Sequence, residues 1–237
     1  MKNVVFTALF LLLLMACAKK EPLGNLHITG TVKGLKKGTL YIQKIKDSAL
    51  VTIDTIVIEG NPDFASDLNI ESPEVYYLFL DRGVTNSLDN KLPFFAEPGN
   101  IRIETSLEYF LSNAKITGSK NHEKYAEFRK VTTRYNDQNL ELTESKFYAF
   151  KNKNFKKVDS LQSLQDAGIK RRYLYTTNFA INNNNLEVAP YVTLAEIANI
   201  NLKYLDTIQK SMTPKVAQSM YGKRLIQFYQ QRKKIEK

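Results

Sequence analysis

The chain has 237 residues, 43% hydrophobic and 24% charged, with a formal charge of +10 and one cysteine. These values fit a folded soluble body of one large or two small domains. A lone cysteine leaves no internal disulfide, and past the N-terminus no apolar run approaches the length of a membrane span.

Met1 and Lys2 give a short positive start, and residues 4–16 are apolar apart from Thr7. A spanning helix takes about 20 apolar residues, so 1–16 reads as a secretory signal peptide with small Ala16 ahead of the cut. Leu14, Ala16 and Cys17 together resemble a bacterial lipobox. That resemblance implies cleavage before Cys17 and attachment of lipid to its sulfur and new amino group. Buried acyl chains are worth about 0.8 kcal/mol per methylene, and two or more of them hold a protein stably on a membrane. Residues 17–25, with Lys19-Lys20-Glu21-Pro22, then form a lipidated tether. Lysines rather than an acidic run follow the cysteine, so the expected place is the cell envelope, on a bacterial membrane and facing the periplasm. With Cys17 acylated no thiol remains for metal or redox work. An exported basic protein rarely meets nucleic acid, so none is expected as a partner; the charge suits an anionic membrane surface, an acidic glycan, or a solvated face.

From residue 26 the pattern becomes period-two alternation broken by turn residues, as in a β-rich domain over 26–118. Residues 27–32 and 39–45 read as a hairpin turned at 34–38. Residues 51–58 are β-branched and end at Gly60-Asn61-Pro62. Further strands are expected at 64–70, 75–80, 92–96, 100–104 and 114–117, with Glu97-Pro98-Gly99 as a turn. Eight strands at this spacing suggest an antiparallel sandwich or barrel-like domain.

The period shifts at Gly118-Ser119, and 119–237 reads as an α-helical domain, giving an α+β chain. Ser119 or Asn121 caps a first helix with Tyr125, Phe128, Thr132 and Tyr135 on one face. Residues 142–150 continue it or begin another, and 151–154 break the pattern. A second helix carries Val158, Leu161, Gln165, Gly168, Arg172, Tyr175 and Phe179. The four asparagines 182–185 make a turn, 188–200 a short helix, and Leu202, Leu205, Ile208 and Met212 the face of another. Thr213-Pro214 looks like a cap and first helical residue, opening a final helix with Ala217, Tyr221, Leu225, Phe228 and Ile235.

The Gly-rich opening, Asp54-Thr55, the Glu97-Pro98-Gly99-Asn100 turn and the Ile116-Thr117-Gly118-Ser119 exit resemble a β-domain of unknown function (4369 type). That domain is found at the N-terminus of thioredoxin-like lipoproteins of Gram-negative bacteria. Residues 179–228, with Val188, Ala189, Tyr191 and Tyr221-Gly222, resemble the helical linker behind it. The resemblance implies an accessory part of a thiol-disulfide oxidoreductase lipoprotein. Such proteins continue into a thioredoxin-like domain with a Cys-x-x-Cys pair, whereas this chain stops at Lys237, where that domain would begin. The redox residues therefore have no counterpart in it.

No catalytic residues, metal ligands or cofactor are assigned. His27 in a strand and His122 near a helix start lack ligand-spaced partners and suit surface or capping roles; there is no G-x-S-x-G elbow; Gly118-Ser119-Lys120 lacks the spacing of a phosphate loop. Asp54, Asp63 and Asp67 suit turns and edges. Two features offer binding. Lys151, Lys153, Phe155, Lys156 and Lys157, with Lys170, Arg171 and Arg172, would give a basic, aromatic-studded surface for anionic headgroups, acidic glycan or an acidic protein; a solvated helix face explains the same residues. Tyr76, Tyr77, Phe79, Phe94 and Phe95 fill a sandwich core or line a groove between sheet and helices. The expected function is non-enzymatic: a lipid-anchored accessory module with a periplasmic protein partner. The alternatives are a ligand-binding lipoprotein for glycan, peptide or lipid, and an enzyme of unrecognised type.

Overall fold

Alternation sets the first strand. In β1 (Leu26–Lys33), Leu26, Ile28 and Val32 are buried while Thr29 and Lys33 face solvent. The same pleat sorts β2 (Lys37–Lys46), β3 (Ala49–Glu59), β4 (Asp63–Leu68), β5 (Glu74–Asp81), β6 (Lys91–Ala96), β7 (Gly99–Ser106) and β8 (Lys115–Thr117). The structure is a computed structural model that describes residues 24–83 and 87–236. The expectations for the signal peptide, for Cys17 and for most of the tether fall outside the described residues.

The eight strands form two four-stranded sheets, in the orders β4-β1-β7-β8 and β3-β2-β5-β6. Their inner faces meet in one apolar cluster that includes Leu26, Ile28, Leu40, Ile42, Leu78, Leu80, Phe94, Ile101 and Ile103. The expected hairpin of β1 with β2 is not formed. β1 pairs with β4 antiparallel and with β7 in parallel, whereas β2 pairs with β3 and β5. The cause lies in the connection. Leu35 is sunk in the core and its N–H donates to the Val32 carbonyl at 3.0 Å; a two-stranded hairpin would leave that leucine in water at its tip. The segment therefore crosses from one sheet to the other, and each strand gives its apolar face to a different sheet. The β1–β7 pair also makes the first sheet mixed rather than purely antiparallel.

The helices follow: α1 (Lys120–Lys151), α2 (Phe155–Asn182), α3 (Val188–Glu196), α4 (Leu202–Ser211), α5 (Pro214–Gln218) and α6 (Met220–Ile235). The α+β class expected from the sequence is borne out. Ser119 caps α1, its side chain accepting from the His122 N–H at 2.9 Å. Residues 142–150 continue α1 without a break. The expected single final helix is instead two, because Ser219 leaves the helix after α5 and caps α6 by accepting from the Gly222 N–H at 3.2 Å. Gly222 permits that sharp junction: a Cβ there would stand 1.9 Å from the Val216 carbonyl oxygen.

α3 to α6 and the end of α2 enclose a second core with Ala180, Ile197, Leu205, Ile208, Val216 and Leu225. A third cluster joins strands to helices and includes Val75, Phe95, Tyr125, Phe128, Phe179, Val192 and Tyr221. α1 and α2 run antiparallel and outgrow this body. Beyond Thr132, α1 buries only Ala149, and α2 ahead of Thr176 buries only Leu161 and Gln165. At 1.5 Å per residue, α1 is about 48 Å long, so its far half forms an arm packed only against α2.

Candidate functional site

Two places carry the side chains that a function would use. The first is the seam between sheet and helices. Glu97, in the β6–β7 turn, accepts from the Lys120 N–H at 2.6 Å, the Asn121 N–H at 3.3 Å and the Asn121 side-chain amide at 2.6 Å. A carboxylate there offsets the positive end of the α1 dipole. The same Asn121 amide donates to Glu187 at 2.9 Å, and its oxygen accepts from the Val188 N–H at 2.8 Å, at the start of α3. Asn121 thus ties two helix N-termini and two carboxylates at one point, and it is 1% exposed. The sequence reading offered Asn121 only as a cap and Glu97 only as a turn residue. The pairing was not readable, because 66 residues separate Asn121 from Glu187.

Aromatic rings pack beside this latch. Phe95 stands edge-on to Tyr125, Tyr191 and Tyr221 at centroid distances of 5.9, 5.4 and 6.2 Å. The Tyr221 hydroxyl accepts from the Val75 N–H at 3.1 Å, and the Ser72 hydroxyl accepts from the Met220 N–H at 3.1 Å. Burial pushes Tyr221 up to about 12 and raises Tyr191 further. His122 is half-buried rather than on the surface, and its Nδ1 accepts from the Phe95 N–H at 3.4 Å. Desolvation lowers it to about 4, against the opposing pull of Glu97. These groups are held neutral near pH 7, which suits a joint rather than acid-base chemistry. Of the aromatics singled out in the sequence, Tyr76 and Phe94 fill the sandwich, Phe95 fills the seam, and Phe79 stacks on Tyr41 on the outer face at 6.1 Å. The space between sheet and helices is occupied by side chains where a groove was an open alternative.

The other candidates in the strands have local partners. Asp54 accepts from the Ser66 hydroxyl at 2.5 Å, Asp63 from the Thr31 hydroxyl at 2.5 Å, and Asp67 pairs with His27 at 2.7 Å across β1 and β4. Among the described residues no group of three or more His, Cys, Asp or Glu is placed to hold a metal, and no helix is long and apolar enough to cross a membrane.

The second place is the tip of the α1–α2 arm. Asn152 ends α1, Lys153 takes a left-handed backbone (φ 55), and Asn154 caps α2 by accepting from the Lys157 N–H at 3.1 Å. This turn gathers Lys151, Lys153, Phe155, Lys156 and Lys157, all exposed. Phe147, Tyr148 and Phe150 join them. These three and Phe155 are 53–65% exposed, and they pair off edge-on, Phe147 with Tyr148 at 5.8 Å and Phe150 with Phe155 at 6.2 Å. The first three of these aromatics were missed in the sequence. In sequence they look like any other apolar positions of a helix, and only the antiparallel partner shows which face α1 hides.

Lys170, Arg171 and Arg172 lie elsewhere. Lys170 lies thirteen positions beyond Lys157 in α2, about 20 Å along the axis, so the basic residues do not form one surface. Arg172 is also ion-paired with Glu196 of α3, whereas Lys170 and Arg171 are exposed. Lys170 and Asp166 border a shallow, largely apolar hollow with Ile169, Tyr173, Leu174, Ile200 and Tyr204.

Residues 26–125 match the family model described as a domain of unknown function (DUF4369). The matched stretch runs past the last strand into α1, as far as the tyrosine that meets Phe95. No curated protein and no solved structure matches the chain.

Proposed function

We propose that this chain, with its DUF4369 domain, is a lipid-anchored extracytoplasmic interaction module, an accessory to thiol-disulfide lipoproteins that performs no reaction of its own. The observation that carries this reading is the α1–α2 arm. A two-helix extension stabilises little of the body, and its far end holds four aromatic side chains out in water at a cost in hydration. Such a surface has a use when something covers it. The anchoring half of the reading is supported by the lipobox-like run ending at Cys17, and the thioredoxin-related half by the linker-like residues Val188, Ala189, Tyr191 and Tyr221-Gly222.

The test is made in an exporting Gram-negative cell. An alkyne fatty acid should label the wild-type chain and not Cys17→Ser, and a photo-crosslinking residue placed at Phe150 should trap a contact in the envelope. A chain that stays unlabelled in the cytosol with residues 1–16 attached overturns the proposal. A second reading, a ligand-binding lipoprotein, rests on the hollow beside Lys170. It predicts that Tyr204→Ala weakens binding of an acidic amphiphile, measured by calorimetry.

A further inference from the structure

We propose that the tip of the α1–α2 arm seats on an anionic bilayer surface, its aromatics entering the headgroup layer and its lysines pairing with lipid phosphates. This names the partner of the arm and rests on the interaction-module reading above. Residues 145–158 hold five lysines and no carboxylate. Lys146 is taken up within the arm, donating to Gln162 at 2.7 Å and Gln165 at 2.6 Å. Lys151, Lys153, Lys156 and Lys157 have no ion pair among the described residues. The tip is thus a concentrated positive charge whose complement is a surface of negative charge.

Shape decides between a bilayer and an acidic protein. Phe147 and Phe150 fall about 60° apart around α1 and Tyr148 about 100° to the other side of Phe147, so the rings spread over about 160° of its circumference instead of lining one flat patch. A stable protein interface draws on about 20–30 residues from each partner and centres on a packed cluster. The tip is half that size and convex. A bilayer interface makes no such demand. It accepts rings from every side of an inserted tip, favours tyrosine and long lysine side chains at headgroup level, and gains with each lysine brought near an anionic leaflet.

The three apolar clusters draw on residues between Leu26 and Tyr229, so a body beginning at Gly24 keeps its fold and carries neither Cys17 nor the N-terminal apolar run. That body is sedimented with vesicles of phosphatidylcholine alone or mixed equally with phosphatidylglycerol. It should bind the mixed vesicles at least about tenfold more tightly, and added salt should erode the difference. The quadruple variant Lys151→Ser, Lys153→Ser, Lys156→Ser, Lys157→Ser should lose that gain. The triple variant Phe147→Ser, Phe150→Ser, Phe155→Ser should lose about tenfold or more. The control Lys36→Ser, Lys37→Ser, Lys223→Ser, Arg224→Ser, which removes as many charges from exposed positions outside the arm, should bind as wild type. All these side chains are exposed, so melting temperatures should agree. Failure of the wild-type body to bind anionic vesicles, equal binding by all four proteins, or capture of an acidic protein by the tip without vesicle binding overturns the proposal. Because the body lacks Cys17, each of those results leaves the lipid-anchor test untouched.

Discussion

Burial takes the His122 imidazole well away from a water-like environment. Its Nδ1 serves as an acceptor for the Phe95 N–H, so a proton placed there would set two donors against each other in a desolvated place. The folded chain therefore holds this imidazole neutral down to about pH 4, whereas the unfolded chain protonates it near pH 6.5. Between those values the unfolded state takes up a proton that the fold refuses, so stability falls as the pH drops through that window and levels off below it. The full effect is about 3 kcal/mol at most. Urea unfolding at pH 7 and pH 4.5 should show the loss in wild type, and His122→Asn should flatten it. An unchanged pH dependence in the variant would assign the loss to other groups. Spacing suited this residue to a surface or capping role, and its burial was not legible. The packing neighbour is a strand backbone 27 positions earlier, and a one-dimensional pattern gives no hint of it.

Helices and turns were legible where their signals are local. Apolar positions three and four apart marked both arm helices, and the polar run at 151–154 ended one and capped the next. Partner choice among strands was not legible, because a period of two names the inner face of a strand without naming the sheet it joins. Glycines in helices divide on the same line between local and distant causes. Gly168 lies inside α2 with open space where a Cβ would go, and Gly222 lies in α6 with a carbonyl in the way. Gly168→Ala should stabilise the arm by about 0.4–1 kcal/mol, through helix propensity and a less free unfolded chain. Gly222→Ala should cost about 2 kcal/mol or more, since α5 and α6 must separate. Melting temperatures of the two variants should move in opposite directions. A shared direction would mean that propensity alone governs both sites and that the close approach at Gly222 is relieved cheaply.

At the scale of the whole fold, the strand-then-helix order and the eight strands among the described residues followed from periodicity, whereas the seam that unites the halves did not. β6 holds the reason. Phe94 and Phe95 are neighbours and both are fully buried, yet they point to opposite faces, one into the sandwich and one toward α1, α3 and α6. A strand apolar on both faces is one that a second layer covers, and here the covering layer arrives from the far end of the chain. Each half also has a core of its own, so the seam decides whether they unfold as one. Phe95→Ala removes a ring held among three tyrosines and should cost about 3–5 kcal/mol. The loss should fall on the coupling more than on either core. Calorimetry of the wild type should then show one transition and that of the variant two, the strands and the helices melting separately. A single transition at a lower temperature would instead mean that the two cores depend on each other through the Glu97–Asn121–Glu187 latch, and the same scan on Asn121→Ala would separate the two causes.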